Sequence, residues 1–164
     1  SPDIDGAITA TLSLLGEYYD LSRVYICEDV DGHTASTNSY EWCAPGIESQ
    51  KEHLEYIRYE DVGGWEGYTA HFDSHGVFYC PNVSDLPDEL RAELEGQGIR
   101  AMLQCAVMDR GVFSGMIGYD ECRQNRGWTD EQVETLQFVS RIISTYLLNM
   151  RKTDNPIKIP PHNA

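Results

Sequence analysis

Five cysteines, a pair of histidines four apart and a short basic turn are the residues of this chain whose types could do chemistry. Cys27, Cys43, Cys80, Cys105 and Cys122 are odd in number and scattered, with no CxxC pair and no zinc-finger spacing. Several fall in strand-like runs, so they read as reduced thiols of a cytoplasmic protein rather than as a disulfide framework. His71 and His75 would share one face of a helix, as a metal pair does. Only Glu66, Asp73 and Cys80 stand near them as further ligands, and Gly76 implies that any helix has ended. The stretch reads as a solvated loop, and no metal is expected. Arg123 and Arg126 in CRQNRGW form a basic turn on an acidic protein. They read as exposed or paired with local carboxylates, with docking to a neighbouring domain as the alternative use. No GxSxG, HExxH or P-loop is present, so hydrolase chemistry has no support.

The totals narrow the classes further. The chain has 164 residues, enough for one domain with a substantial core. Its net charge of −15 argues against a nucleic-acid groove and against an anionic membrane surface, both of which need clustered Lys and Arg. There is no run of 18 apolar residues and no basic-then-apolar leader, so neither a membrane span nor a signal peptide is expected. The short start and abrupt tail suggest an excised fragment.

Periodicity supplies the elements that must position these residues. Ile4, Ile8, Leu12, Leu15 and Tyr19 fall on one helical stripe, weakened slightly by Gly16. SRVYICEDVDGH and TASTNSYEWC read as a hairpin turning at Asp31-Gly32 and ended by Pro45-Gly46. The stretch Glu48 to Ser74 shows helical spacing around Leu54 and Ile57, a Gly-Gly break, and a short helix from Trp65 to Phe72. GVFYCPNVSDLP gives a strand ended by Pro81, and a helix then starts at Asp85 or Pro87 and runs through Glu95. Its free N–H groups could meet an anion, but Asp85 and Asp88 compete for the same donors. IRAMLQCAVMDRGVFSGMIGYDEC reads as a second hairpin around Asp109-Arg110-Gly111. The last helix opens on a capping box, Thr129 with Gln132, and Asp130 and Glu131 suit its positive end. Its stripe of Val133, Leu136, Ile143, Leu147 and Met150 widens through Phe138, Val139, Ile142 and Tyr146. The apolar arc covers about 220°, where a half-buried helix needs little more than 100°. Either the first helix covers the surplus, or a second subunit does, or both. TDNPIKIPPHNA is Pro-rich and aperiodic, so residues 1–152 read as the domain and 153–164 as a linker or disordered tail. Hairpins at both ends of one sheet with terminal helices on one face make an α+β domain.

That element order, with Val83-Ser84-Asp85-Leu86-Pro87, Gln97-Gly98-Ile99, Gly115 to Asp120 and Trp128-Thr129, resembles the GAF domain family. The resemblance covers about Asp3 to Arg151 and is strongest from Asn82 to Leu147. It is closest to the sensor domains attached to bacterial diguanylate cyclases, phosphodiesterases and sensor kinases. The resemblance implies a PAS-related antiparallel sheet of about six strands, with terminal helices packed on one face and a ligand pocket on the other. It also implies that the terminal helices pair between protomers and run into an output domain.

A pocket of this kind wants aromatic walls and a few placed polar groups. The middle segment offers Trp42, Trp65, Tyr68 and Phe72, and the strands offer Tyr25, Tyr79, Cys105 and Tyr119. Asp85, Asn82 and Gln104 could add polar contacts. Trp65 is the first choice, because a Trp near this place tends to close the pocket in similar domains; the competing reading makes Trp65 and Phe72 plain core. Ile8, Leu12, Phe138, Ile142, Tyr146 and Met150 are the expected dimer seam. The leading expectation is a non-catalytic module that senses an unknown small molecule, with no resident cofactor, and forms a homodimer. Two alternatives stay open. One is an enzyme like the free methionine sulfoxide reductases, although the cysteines lack the expected local pattern and no His or Lys sits beside them. The other is a dimerisation spacer without ligand. Covalent bilin attachment lacks its Cys-His pair.

Overall fold

The computed structural model describes residues 2–154. Strand alternation produces one antiparallel sheet of β1 (Arg23–Val30), β2 (Ala35–Cys43), β3 (Ile57–Arg58), β4 (Val77–Cys80), β5 (Ala101–Asp109) and β6 (Val112–Glu121). Their order across the sheet is β3-β2-β1-β6-β5-β4. The two long hairpins therefore meet at the centre, where β1 pairs with β6 from Arg23↔Asp120 to Glu28↔Gly115. Helix α1 (Pro2–Tyr18) lies on β1 and β2, and α4 (Asp130–Asp154) lies on β5. Both cover the same face, where Leu12, Val24, Ile26, Leu103, Ile117, Leu136 and Leu147 form one core. The opposite face carries a second core under α2 (Trp65–Thr69) and α3 (Asp88–Gly96), built from Tyr59, Tyr68, Phe78, Leu90, Leu94, Met102 and Phe113. The α+β reading, with the terminal helices on one face, describes this architecture.

Local chemistry explains the element ends. The capping box forms as read: Thr129 Oγ1 accepts from Gln132 N at 3.1 Å and Gln132 Oε1 accepts from Thr129 N at 2.9 Å. Arg110 and Gly111 both take positive φ at the β5–β6 turn. Gly16, a poor helix former, has a packing reason: a Cβ there would stand 2.0 Å from the Trp42 ring. Asn82 caps a 3-10 turn at Val83–Asp85 through Ser84 N, and α3 follows from Pro87 without a side-chain cap.

Several expectations need correction. Residues 48–56 form irregular chain with a turn at 51–54 rather than a helix, and Ile57 enters the short strand β3. Helical spacing in that stretch is coincidental, since Leu54 packs inward alone from a loop. The last helix runs on to Asp154, two residues into the segment read as tail; residues 155–164 lie outside the described residues. Ile8, Leu12 and Met150 cannot form a dimer seam, because they are buried in the chain's own helix-face core. No described helix is long and apolar enough to cross a membrane.

Candidate functional site

The odd-numbered residues of β1 all turn away from the terminal helices. Arg23, Tyr25, Cys27 and Asp29 lie on the second face, beside Met116, Gly118 and Asp120 of β6. The ring of Tyr25 lies against Gly118, where a Cβ would meet it at 2.1 Å. Above them sits a cavity of about 50 Å³ whose floor includes Tyr25, Cys27, Ser36 and Gln104. Its roof is Leu54, Tyr59, Tyr68, Leu90 and Leu94, with Glu93 and Gln97 at one side.

A chain of buried polar groups runs under this cavity. The Tyr68 hydroxyl donates to Gln104 Oε1. Gln104 Nε2 donates to the Tyr25 hydroxyl at 3.2 Å, and Tyr25 donates to Asp120 Oδ1 at 3.1 Å. Arg23 Nε donates to Asp120 Oδ2 at 3.2 Å. The other guanidinium nitrogens reach Glu48 O at 2.9 Å, Gln97 O at 2.7 Å and Cys122 Sγ at 3.3 Å. Arg23 thus ties the end of α3 and the loop after β2 to the sheet. Burial pushes the Asp120 carboxyl up to about 6, against the pull of Arg23 and of the Tyr25 hydrogen bond. Burial works against the Arg23 charge as well, yet Asp120, Cys122 and Tyr25 together hold its pKa above the usual value. Burial, with Asp120 next, keeps Tyr25 protonated far above its ordinary range.

A second anchor holds the segment over the cavity. Asp29 accepts from the Tyr59 hydroxyl, from Trp65 Nε1 at 3.1 Å and from His33 Nδ1 at 2.7 Å. The adjacent residue of β6, Glu121, turns to the far side. It accepts from Arg123 Nε at 2.9 Å and Arg126 Nη1 at 3.3 Å. The same two arginines donate to Asp20 O and Tyr19 O at the end of α1. Although burial opposes its charge, these bonds hold the Glu121 pKa below the usual range. The basic turn is therefore paired with a local carboxylate, as the sequence suggests.

The structure sorts the candidate residues. Tyr25, Tyr68 and Gln104 meet at the cavity. Trp65 and Phe72 pack in the second core next to it, Trp65 edge-on to Phe113 at 6.4 Å. Trp42, Cys105 and Tyr119 belong to the helix face, because strand parity sends them there; Tyr119 bonds Ser140 at 2.7 Å. Tyr79 shares that parity and holds Trp128 N at 2.9 Å. Asp85 is exposed in its 3-10 turn. These five have no place at the cavity. Sequence reasoning missed Arg23, Asp29 and Asp120. The signal available for β1 was the alternation of RVYIC, where Arg23, Tyr25 and Cys27 are separated by the apolar Val24 and Ile26. His71 stacks on Phe78 at 4.8 Å, and no group of three or more potential metal ligands occurs among the described residues.

The thiols are not prepared for chemistry. All five cysteines are free. Burial pushes Cys105 up to about 11 and Cys43 up to about 12, and raises Cys27, Cys80 and Cys122 as well. A nucleophilic or redox cysteine needs the opposite shift.

Comparison with known proteins agrees with this layout. The GAF domain family profile matches residues 3–147. The chain is 32% identical over 154 residues to the methanogenesis regulatory histidine kinase FilI of Methanothrix harundinacea; that alignment takes in 91% of this chain but only 17% of the kinase. The PixJ GAF domain of Thermosynechococcus elongatus, in its blue-light absorbing form, superposes with a TM-score of 0.73 at 13% identity, over 93% of this chain and 90% of that one. A domain of a two-component sensor histidine kinase protein from Sinorhizobium meliloti gives 0.69 at 15% identity, over 93% and 97%. At such identities the structural likeness speaks for the fold, while the family match covers nearly the whole domain. The chain belongs to the GAF domain family and is a sensory, regulatory domain.

Proposed function

We propose that this domain is the non-catalytic sensing and pairing module of a signalling protein whose output is a kinase. The observation that carries the reading is the unbroken polar chain from Tyr68 in the roof to Asp120 in β6, with the neighbouring Glu121 joined through Arg123 and Arg126 to the end of α1 on the other face. A ligand that moves Tyr68 would disturb Gln104, Tyr25 and Asp120 in turn. The last turn of β6 would then shift against the start of α4 and the end of α1. Such a relay works only if the ligand binds the two arrangements unequally. The likeness to a regulatory histidine kinase supports a kinase output, and the free thiols fit a cytoplasmic location.

The pairing surface in this reading is the outer stripe of α4. Phe138, Ile142 and Tyr146 are 63%, 55% and 46% exposed in the single chain. At about 100° per residue they lie roughly 130° around the helix from the centre of its buried arc, out of reach of the chain's own sheet. Leu14 and Tyr18 on α1 are exposed as well. A second copy of the domain covers these side chains.

Melting the domain against a panel of amino acids, aromatic acids, cyclic nucleotides and neutral amides tests the reading, since a ligand confined to the folded form raises stability. A concentration-dependent rise that Tyr68→Phe weakens is expected. A second reading, a dimerisation spacer with a vestigial pocket, is favoured by the small volume of about 50 Å³. It predicts dimers and no response to any member of the panel.

A further inference from the structure

We propose that the cavity under the Tyr59–Tyr68 segment takes a small organic ammonium ion, held by the Glu93 carboxylate and by the hydroxyl oxygens of Tyr59 and Tyr68. The inference rests on the sensing reading above and names the chemical class of its ligand. Tyr25, Tyr59, Tyr68 and Glu93 all line this cavity, and the three tyrosines are buried. Each tyrosine has already committed its proton. Tyr59 donates to Asp29 Oδ1, Tyr68 to Gln104 Oε1 and Tyr25 to Asp120 Oδ1. A phenol that donates in this way becomes a stronger acceptor. The Tyr25 oxygen is taken by Gln104 Nε2. The oxygens of Tyr59 and Tyr68 accept no hydrogen bond among the described residues. A ligand that satisfies them must bring N–H or O–H donors.

The charges decide which donor. No Lys, Arg or His is among the lining residues, while Glu93 is. Glu93 Oε1 accepts from His53 Nε2 at 2.8 Å and from Gln97 Nε2 at 3.0 Å, and Oε2 accepts nothing among the described residues. Asp29 and Asp120 stand behind Tyr59 and Tyr25, and the guanidinium nearby, Arg23, is committed to Asp120, two backbone carbonyls and Cys122. An anion would meet like charge with no counter-ion, at a cost that burial multiplies. A cation meets the free Glu93 oxygen. It also meets the rings of Tyr59 and Tyr68, whose centroids are 5.7 Å apart, close enough for one ion to touch both. The net charge of −15 draws cations to the protein. The volume of about 50 Å³ compares with roughly 30 Å³ for one water in the liquid. A short alkylammonium is of that order, and longer amines require the roof to lift.

Probes of one shape and three charges test this on the purified chain: isopropylammonium, isopropanol and isobutyrate, with methylammonium as the smallest cation, all at one ionic strength. Binding is read by saturation-transfer NMR well below the melting point and by the rise in melting temperature. The ammonium ions should bind roughly tenfold or more tighter than the alcohol, the scale of one charge-assisted hydrogen bond, and the carboxylate should not bind. Glu93→Gln keeps an oxygen and removes the charge, and it should weaken ammonium binding by a similar factor. Cys27→Met fills the cavity floor and should abolish it; Ser36→Val makes the same test from β2 if that variant does not fold. Equal or better binding of the alcohol or the carboxylate overturns the proposal, as does an ammonium affinity unchanged in Glu93→Gln. An ammonium response that survives the filled floor also overturns it, because the ion is then on the acidic surface. If aromatic acids or cyclic nucleotides bind and the amines do not, this inference falls and the sensing reading stands. If no probe of any class binds, both fall.

Discussion

Replacing Asp120 separates two accounts of the ion pair beneath the cavity. In one, the Arg23–Asp120 bond is a net support, and breaking it costs about 3–5 kcal/mol by stranding a buried charge. In the other, burial of the carboxylate outweighs the pair. The geometry favours the second. Asp120 is fully buried with two hydrogen-bond donors, while Arg23 keeps three further acceptors if the carboxylate charge is lost. Its carboxyl is pushed from 3.8 to about 6, a rise of about two units that is worth roughly 3 kcal/mol. Because the folded-state value is the higher one, the folded protein holds this proton more tightly than the unfolded chain. That advantage is complete below about pH 4 and is lost as pH rises through about 6. Asp120→Asn copies the protonated form. The variant should match wild type near pH 4 and exceed it by roughly 3 kcal/mol at pH 7.5, a rise of about 1.5 M in urea midpoint for a typical m-value near 2 kcal/mol/M. Urea titrations from pH 4 to 8, scored as variant minus wild type, remove the contribution of Glu121, whose lowered pKa acts in the opposite sense. A variant that is the less stable at pH 7.5 by 3–5 kcal/mol, or a difference flat across the range, refutes the reasoning.

Three further outcomes are expected. Arg23→Met should cost about 3–5 kcal/mol at pH 7 and less near pH 5, where Asp120 takes up a proton; equal loss at both would show that Arg23 acts only through its carbonyl bonds. Ile142→Glu with Tyr146→Lys should give a folded monomer by sedimentation, against a dimeric wild type; a wild type that sediments as a monomer at high concentration removes the pairing surface. Gly16→Ala should destabilise by about 1–3 kcal/mol in thermal unfolding although alanine suits helices better, because its Cβ meets the Trp42 ring, and adding Trp42→Leu should recover much of the loss.

The order of elements was legible because each long element carries its own period. The β5–β6 hairpin needed only its alternation and a turn with positive φ, and α4 needed only its stripe and its capping box. The stretch from Glu48 to Tyr56 was misread because its spacing imitates a helix while its backbone is held by isolated bonds, such as Asn38 N to Leu54 O, from a strand ten or more residues away. The site was half legible. Tyr68 and Gln104 could be named as polar and aromatic candidates, but their meeting across 36 residues depends on which strand face each occupies.

The sequence alone determined the local layout, the acidic surface, the lack of a prepared nucleophile pattern and the excess of apolar residues on α4. Only the tertiary structure decided the face on which each strand residue lies, and that parity sent Tyr119 and Cys105 to the helices while it placed Tyr25, Cys27 and Gln104 at the cavity, with Arg23 and Asp120 on the same face of the sheet. It also divided the α4 surplus between core and surface, burying Met150 and leaving Ile142 bare. The reason is physical: period and capping are written within a few residues, whereas burial is settled by surfaces that approach from remote parts of the chain.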